Sequence, residues 1–126
     1  MQSVTRARLI IGLVFLAVLR TSAGATQDRI TILYDAFGKS SGMKKDWGYS
    51  ALVEYGGKRF LFDTGNNAEI FAQNVKVSGV DLKKLDFAVI SHRHGDHTGG
   101  MNYLLTVNPQ VKIFAPKEGL DRKSVV

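Results

Sequence analysis

The sequence holds at residues 91–100 the stretch Ser-His-Arg-His-Gly-Asp-His-Thr-Gly-Gly, in which all three histidines of the chain lie. The residues before it, Phe87 to Ile90, form an unbroken apolar run that is typical of a fully buried strand. Imidazole and carboxylate groups on one short loop are the ligands that a zinc-type divalent ion takes. The stretch therefore predicts a metal site at the end of a buried strand, with four donors that serve one ion or are shared between two.

Local patterns around this loop predict the other elements. Gly56-Gly57 lies between two apolar runs and indicates a hairpin. Asn66 or Asn67 is expected to cap a helix with an apolar stripe, and Gly79 is expected to end it. The predicted strands are 30–34, 49–55, 59–62, 87–90 and 111–114, and a second helix is predicted from 98 to 105. This order predicts an α/β fold with a mixed sheet.

The first 25 residues have the pattern of a secretory signal peptide. Arg6 and Arg8 precede an apolar run from Leu9 to Leu19, and small residues at 23–25 offer a cleavage site. The run is too short to span a bilayer as a helix, so no stable membrane anchor is expected. We therefore expect a mature chain that starts at Thr26 and is secreted or periplasmic.

Charge and cysteine content narrow the function. The leader holds three arginines and no acid, so the formal charge of +6 falls to +3 for residues 26–126. No basic stripe with interleaved aromatics is present, which argues against a nucleic-acid partner and favours a small-molecule substrate. The absence of cysteine excludes disulfides, thiolate metal sites and a cysteine nucleophile.

The loop at 91–100 resembles the signature loop of the metallo-β-lactamase-fold hydrolases. The upstream stretch Leu61-Phe62-Asp63-Thr64-Gly65 is similar to that family's strand-end motif. The stretches 34–38 and 47–53 resemble a subgroup, the dihydropterin ribofuranosylaminobenzene phosphate synthase-like proteins. The resemblance covers about residues 30–116, and it implies the N-terminal half of an αββα sandwich, with helices on one face of the mixed sheet.

The resemblance also implies roles for the loop. His92 and His94 would bind a first metal, and Asp96 and His97 a second; the two divalent ions would be zinc, with iron or manganese as alternatives. A metal-bound hydroxide would be the nucleophile, and Asp96 would be the catalytic residue that orients it or carries its proton. Asp63 would hydrogen-bond to the loop and fix the ligand geometry. The alternative role of Asp63 is a turn carboxylate that accepts backbone N–H groups.

The resemblance leaves both metal sites short of ligands. The family takes further histidines and a bridging aspartate from downstream, and no histidine follows His97. We therefore expect residues 26–126 to be the N-terminal part of a truncated domain, inactive alone, that a missing half or a second chain completes. The leading interpretation is a metal-dependent hydrolase of an ester, phosphoester, amide or thioester. The alternative is a non-catalytic metal-binding or interaction module with incomplete sites.

The apolar and aromatic residues near the loop are interpreted structurally. Phe71, Phe87 and the two residues 89–90 are expected in the core. Trp47 and Tyr49 are expected to pack on the surface under the loop, and lining a substrate pocket is the alternative.

Overall fold

A computed structural model describes residues 27–117, which form a five-stranded sheet with helices. The predicted signal peptide at 1–25 lies outside the described residues. The strands are β1 (Arg29–Tyr34), β2 (Ser50–Tyr55), β3 (Lys58–Phe62), β4 (Phe87–Val89) and β5 (Ile113–Phe114). The helices are α1 (Ala68–Ser78), α2 (Gly95–Thr98) and α3 (Met101–Val107), with a 3-10 turn at Leu82–Lys84.

The sheet has the order β1-β2-β3-β4-β5 and is mixed, as the sequence predicted. β1, β2 and β3 pair antiparallel, and the predicted hairpin turn at Gly56 and Gly57 takes positive φ angles of 56° and 77°. β3, β4 and β5 pair parallel, because helical segments carry the chain back between them. The C-terminal ends of these parallel strands meet at one edge of the sheet, where the histidine loop begins.

Helix α1 forms where the sequence placed its capping signals. The Asn67 side chain accepts from the backbone N–H groups of Glu69 and Ile70, which satisfies two donors of the first turn. Gly79 ends the helix with φ of 69°, a conformation that glycine adopts without a Cβ penalty. Among residues 27–117, no helix combines the length and apolar character needed to cross a membrane.

The helices cover one face of the sheet and bury a single core there. Phe71 of α1 and Leu104 of α3 are fully buried. The other buried members of the cluster are Leu33, Tyr34, Leu52, Leu61, Val75, Leu82 and Ala88. Strand alternation places Leu52, Leu61 and Ala88 at paired positions on this covered face. The expected α/β arrangement with helices on one face is therefore confirmed.

The opposite face of the sheet is apolar and largely open. Phe60 and Phe87 stack across β3 and β4 with ring centroids 4.9 Å apart, and Phe114 meets Phe87 edge to face at 5.5 Å. Phe114 is nonetheless 58% exposed, and Ile30 on β1 is 65% exposed. The expectation that Phe87 and Val89 lie in the core is wrong, since both are only half-buried on this open face.

The helix predicted from 98 to 105 begins later, at Met101 of α3, and Gly95–Thr98 form a separate short helix, α2, that was not predicted. α2 ends at Thr98, whose hydroxyl donates to the carbonyl of His94 instead of capping a following helix. Gly99 donates its N–H to the carbonyl of Gly65 on the β3 side, at 2.7 Å. This contact to another part of the chain pins the segment between α2 and α3, and α3 starts only after Gly100.

Candidate metal centre

The histidine loop lies directly after β4, beside the end of β3. Its residues His92, Asp96 and His97 each offer one ligand atom, and these atoms lie within 4.8 Å of one another. His92 precedes α2, while Asp96 and His97 lie within it, so the short helix turns the two later side chains back toward the first. The loop therefore brings three of the four predicted ligands together.

The fourth predicted ligand, His94, lies beside this group. Its ring centroid is 4.7 Å from that of His92, while the ring centroid of His97 is 4.2 Å from that of His92. The His92 ring is thus in contact with both of the other histidine rings. The division into a His92–His94 pair and an Asp96–His97 pair stays a prediction.

Asp63 ties this loop to the end of β3. The residue is fully buried and has a positive φ of 55°, a backbone conformation that is uncommon for a residue with a side chain. One carboxylate oxygen accepts the N–H of Ser91 at 2.7 Å, and the other lies 2.7 Å from Nδ1 of His97. The carboxylate therefore contacts a backbone N–H of the loop and a candidate metal ligand at once, and its role in fixing the geometry of metal ligands stays a prediction.

Ser91 extends the same hydrogen-bond chain to His92. Its hydroxyl donates to Asp63 at 2.7 Å, so Nδ1 of His92, 2.8 Å from that hydroxyl oxygen, is the donor of the second hydrogen bond. Ser91 has no predicted role, because its partner Asp63 lies 28 positions away in the sequence. Its place immediately before His92 was the one available signal.

These hydrogen bonds test whether the residues fit a divalent ion. Since Nδ1 of His92 and of His97 is engaged by Ser91 and Asp63, Nε2 of each ring is left to bind a metal. Nε2 of His97 lies 3.5 Å from a carboxylate oxygen of Asp96. Two imidazole nitrogens and one carboxylate are a set that zinc-type ions take in catalytic sites, with a further coordination position left open. The donor set fits.

Close backbone contacts hold the loop in place. Thr64 is fully buried and donates both its N–H and its hydroxyl to the carbonyl of His97, at 2.8 and 3.2 Å. A Cβ atom at Gly99 would lie 2.0 Å from the carbonyl oxygen of Asn66. Only glycine allows this approach.

The long loop between β1 and β2 is fixed to the same site. The Asp46 carboxylate accepts from the Tyr34 hydroxyl and, at 3.1 Å, from the Asn66 side chain. Burial and the hydrogen bond to Asp46 raise the pKa of Tyr34 to about 12, and the same hydrogen bond lowers the pKa of Asp46. Next to Asp46, Gly48 approaches so closely that its Cβ atom would lie 2.2 Å from the Asp96 carbonyl oxygen.

Two clefts flank the histidine loop. One, of about 520 Å³, is lined by His92, Met101 and neighbouring residues of the β4 and β5 ends. The other, of about 370 Å³, is lined by Asp96 and His97 on one side and by aromatic residues of the β1–β2 loop on the other. Trp47 lines this second cleft and is 66% exposed, so the expectation that it packs under the loop is wrong.

The mixed sheet, the helices on one face and the histidine–aspartate loop after β4 define a metallo-β-lactamase fold. It is similar to the solved structure of a diphosphatase from the PhnP family, with a TM-score of 0.54 and 23% identity; the match covers 74% of this chain and 43% of that one. It is also similar to a B3 metallo-β-lactamase with an active-site glutamic acid, with a TM-score of 0.51 and 24% identity; that match covers 71% of this chain and 30% of the other. These likenesses show the fold, which confirms the resemblance predicted from the sequence.

Sequence comparison then gives the family. The family model described as Anti-Pycsar protein Apyc1 matches residues 35–118, about two thirds of the chain. The chain belongs to the family of the Anti-Pycsar protein Apyc1. It is also similar to the 7,8-dihydropterin-6-methyl-4-(β-D-ribofuranosyl)-aminobenzene-5'-phosphate synthase of Methanocaldococcus jannaschii, with 36% identity over 90 residues. That match covers 68% of this chain, and the chain spans about a third of the length of the synthase.

Proposed function

We propose that this chain carries the N-terminal metal-binding part of a hydrolase that activates water with divalent metal ions, zinc first. The observation that supports the proposal most is the convergence of His92, Asp96 and His97, with ligand atoms within 4.8 Å of one another. The hydrogen bonds of Asp63 and Ser91 to the two rings add to this, because they orient imidazoles as the partners of metal ligands do.

Each residue then has a separate task. His92, Asp96 and His97 would hold an ion, with His94 beside them as the fourth predicted ligand. The bound ion supplies Lewis acidity, which lowers the pKa of water and polarises the bond to be broken. Asp63 and Ser91 engage Nδ1 of His97 and of His92, so that Nε2 of each ring would bind the ion. Asp96 lines the aromatic-lined cleft, and its carboxylate would take a proton from an attacking water there.

We propose a small molecule as the substrate, with phosphoesters tested before esters, amides and thioesters. The synthase that is similar to this chain carries a phosphate compound in its name, which supports that order. We also propose that residues 1–25 direct export, so that the hydrolase acts outside the cytoplasm. Mass spectrometry of the expressed chain tests this, since cleavage after Ala25 leaves a product that starts at Thr26.

Calorimetric titration of the untagged, metal-free chain with zinc tests the site directly. We expect saturable binding that Asp96→Asn weakens ten-fold or more, because one of three converging donors loses its charge. Asp86→Asn is the matched control, since Asp86 is an exposed carboxylate near the opposite end of the same strands. Absence of zinc binding, or equal binding by Asp96→Asn, would contradict the proposal.

An activity assay of the chain joined to the missing half of its domain decides between a hydrolase and a non-catalytic metal-binding module, because the chain alone is expected to be inactive. The module is favoured by one observation, that residues 27–117 offer a single group of three such donors. If the completed protein is a hydrolase, it turns over a panel of nitrophenyl phosphoesters and esters in the presence of zinc or manganese, and Asp96→Asn abolishes the turnover. Tight zinc binding without any turnover across the panel would favour the module.

A further inference from the structure

The two most exposed aromatic side chains beside the candidate metal centre lie on the β1–β2 loop. Phe37 is 80% exposed and Trp47 is 66% exposed, and both line the cleft of about 370 Å³ that Asp96 and His97 border. Exposed apolar side chains grouped beside polar residues are typical of a ligand-binding surface. The position of the two rings needs an explanation that the metal chemistry does not supply.

The backbone that carries Trp47 is fixed. Asp46, directly before it, accepts hydrogen bonds from the Tyr34 hydroxyl and the Asn66 side chain. Tyr49, two residues after it, donates its N–H to the Asp96 carbonyl at 3.3 Å, and Gly65 donates to the carbonyl of Tyr49 at 3.0 Å. Trp47 is therefore an exposed ring on a backbone that the metal loop itself holds in place.

Phe37 is positioned by a second local contact. The carboxylate of Asp35 accepts the N–H of Gly38 at 2.9 Å, which closes a tight turn with Phe37 just before its end. The backbone N–H of Asp46 donates to the Asp35 carbonyl at 3.3 Å and joins this turn to the segment that carries Trp47. Both rings are thus presented by a connected, hydrogen-bonded loop, so little conformational entropy is lost when a ligand contacts them.

We propose that Phe37 and Trp47 form a specificity surface that binds a planar aromatic group of the substrate while the bond to be broken lies at Asp96 and His97. The position of the reacting bond at Asp96 and His97 rests on the proposed function. The binding of an aromatic group by Phe37 and Trp47 does not. Aromatic rings prefer offset-stacked or edge-to-face contact with other rings, and such contacts add to the gain from simple burial. A flat ring gains such a contact with either side chain, whereas a saturated ring of the same size gains burial alone.

Trp47 is the single tryptophan of the chain, so its fluorescence reports on this cleft. The test titrates the full chain, metal-free and zinc-loaded, with benzamide and with cyclohexanecarboxamide, a neutral pair of similar size and equal polarity. We expect benzamide to change the Trp47 emission and to bind about three- to ten-fold more tightly than its saturated match. Because both probes are neutral and one arm is metal-free, this preference is measured even if the chain hydrolyses nothing.

Two variants complete the experiment. Phe37→Leu keeps an apolar side chain but removes the ring, and we expect it to abolish the preference for benzamide. Tyr55→Leu is the matched control, because Tyr55 is 68% exposed at the far end of β2 and lines a different cleft. Equal affinity for the two amides, no binding of either, or an unchanged preference in Phe37→Leu would each overturn the proposal.

Discussion

The two ends of the sheet contain the same kinds of polar groups in opposite settings. At the end that carries the histidine loop, Asp63, Thr64 and Ser50 are fully buried. The Ser50 hydroxyl donates to the Asp63 carbonyl, and the Thr64 hydroxyl donates to the His97 carbonyl. At the hairpin end, charged residues pair on the surface, as Arg29 does with Glu54 at 2.6 Å, and the Arg29 side chain is 65% exposed. One end encloses these polar groups, and the other leaves the charged ends of Arg29 and Lys58 in water.

The difference shows where polar interactions determine structure. A buried hydrogen-bonded carboxylate has no water to replace a lost partner, so its removal leaves donors unsatisfied. An exposed ion pair exchanges its partner for water at little cost, and salt screens it further. We therefore expect the enclosed end to fix the geometry of the metal centre and the hairpin end to tolerate change. The following predictions test that contrast.

The largest effect is expected for Asp63→Ala. This change leaves the N–H and hydroxyl of Ser91 and Nδ1 of His97 without their buried acceptor, and we expect it to lower the free energy of unfolding by about 3 kcal/mol. Urea denaturation of the metal-free chain measures the loss. Asp28→Ala is the control, since Asp28 also accepts a backbone N–H, that of Gly56, but at the exposed hairpin end. If the two variants lose the same free energy of unfolding, buried and exposed polar contacts at the two ends of the sheet do not differ in strength.

A steric change at the enclosed end is expected to have the next largest effect. In Gly99→Ala the new Cβ atom meets the Asn66 carbonyl oxygen at 2.0 Å, and rigid backbone cannot yield as a side chain can. We expect a loss of about 2 kcal/mol in the free energy of unfolding. Gly95→Ala is the matched control on the same loop, because a Cβ atom there meets no other atom within 4 Å. A stable Gly99→Ala protein would show that the loop is less tightly held than its contacts indicate.

Local signals account for the features that the sequence predicted. Asn67 and Gly79 bound α1 through contacts within a few residues, and Gly56-Gly57 forms its turn without help from elsewhere. The histidine loop was found in the same way, since its donors lie within six residues of one another. Such features need only the near neighbours of each residue, and those are visible in the sequence.

The features that the sequence did not predict depend on contacts between residues that are distant in sequence. Ser91 reaches Asp63 across 28 positions, and the Tyr34 hydroxyl reaches the backbone of Asn67 across 33. The break between α2 and α3 likewise follows from the contact of Gly99 with Gly65. The half-buried position of Phe87 was not predicted for the same reason, since its sequence neighbours are typical of a core strand but its ring lies on the face of the sheet without helices.

A smaller effect at the enclosed end is expected for Tyr34, in the dependence of the free energy of unfolding on pH above pH 10. Burial and the hydrogen bond to Asp46 raise the pKa of Tyr34 from 10.0 to about 12, so the folded chain keeps a proton that the unfolded chain releases. This contribution is complete below pH 10 and is lost as the pH rises toward 12. Tyr34→Phe is expected to cost about 1 kcal/mol at neutral pH, through the lost hydroxyl bonds, and to flatten the decline above pH 10.

Urea denaturation of both proteins between pH 8 and 11.5 measures the slopes. Tyr55→Phe, at the exposed hairpin end, is the control and should follow the wild-type profile. If Tyr34→Phe also follows that profile, the hydrogen bond between Tyr34 and Asp46 does not distinguish the folded from the unfolded chain.

The smallest effect is expected at the hairpin end, for Arg29→Ala. Arg29 reaches Glu54 through both Nε and a terminal nitrogen, at 2.9 and 2.6 Å, so this is the best-formed ion pair there. Solvent around the arginine still offers replacement partners, and we expect a change of about 0.5 kcal/mol or less in the free energy of unfolding. Denaturation at low and high salt checks this, since the residual effect should shrink as the pair is screened. If Arg29→Ala lowers the free energy of unfolding as much as Asp63→Ala does, then the number of hydrogen bonds between the partners, and not burial, determines the strength of polar contacts at the ends of this sheet.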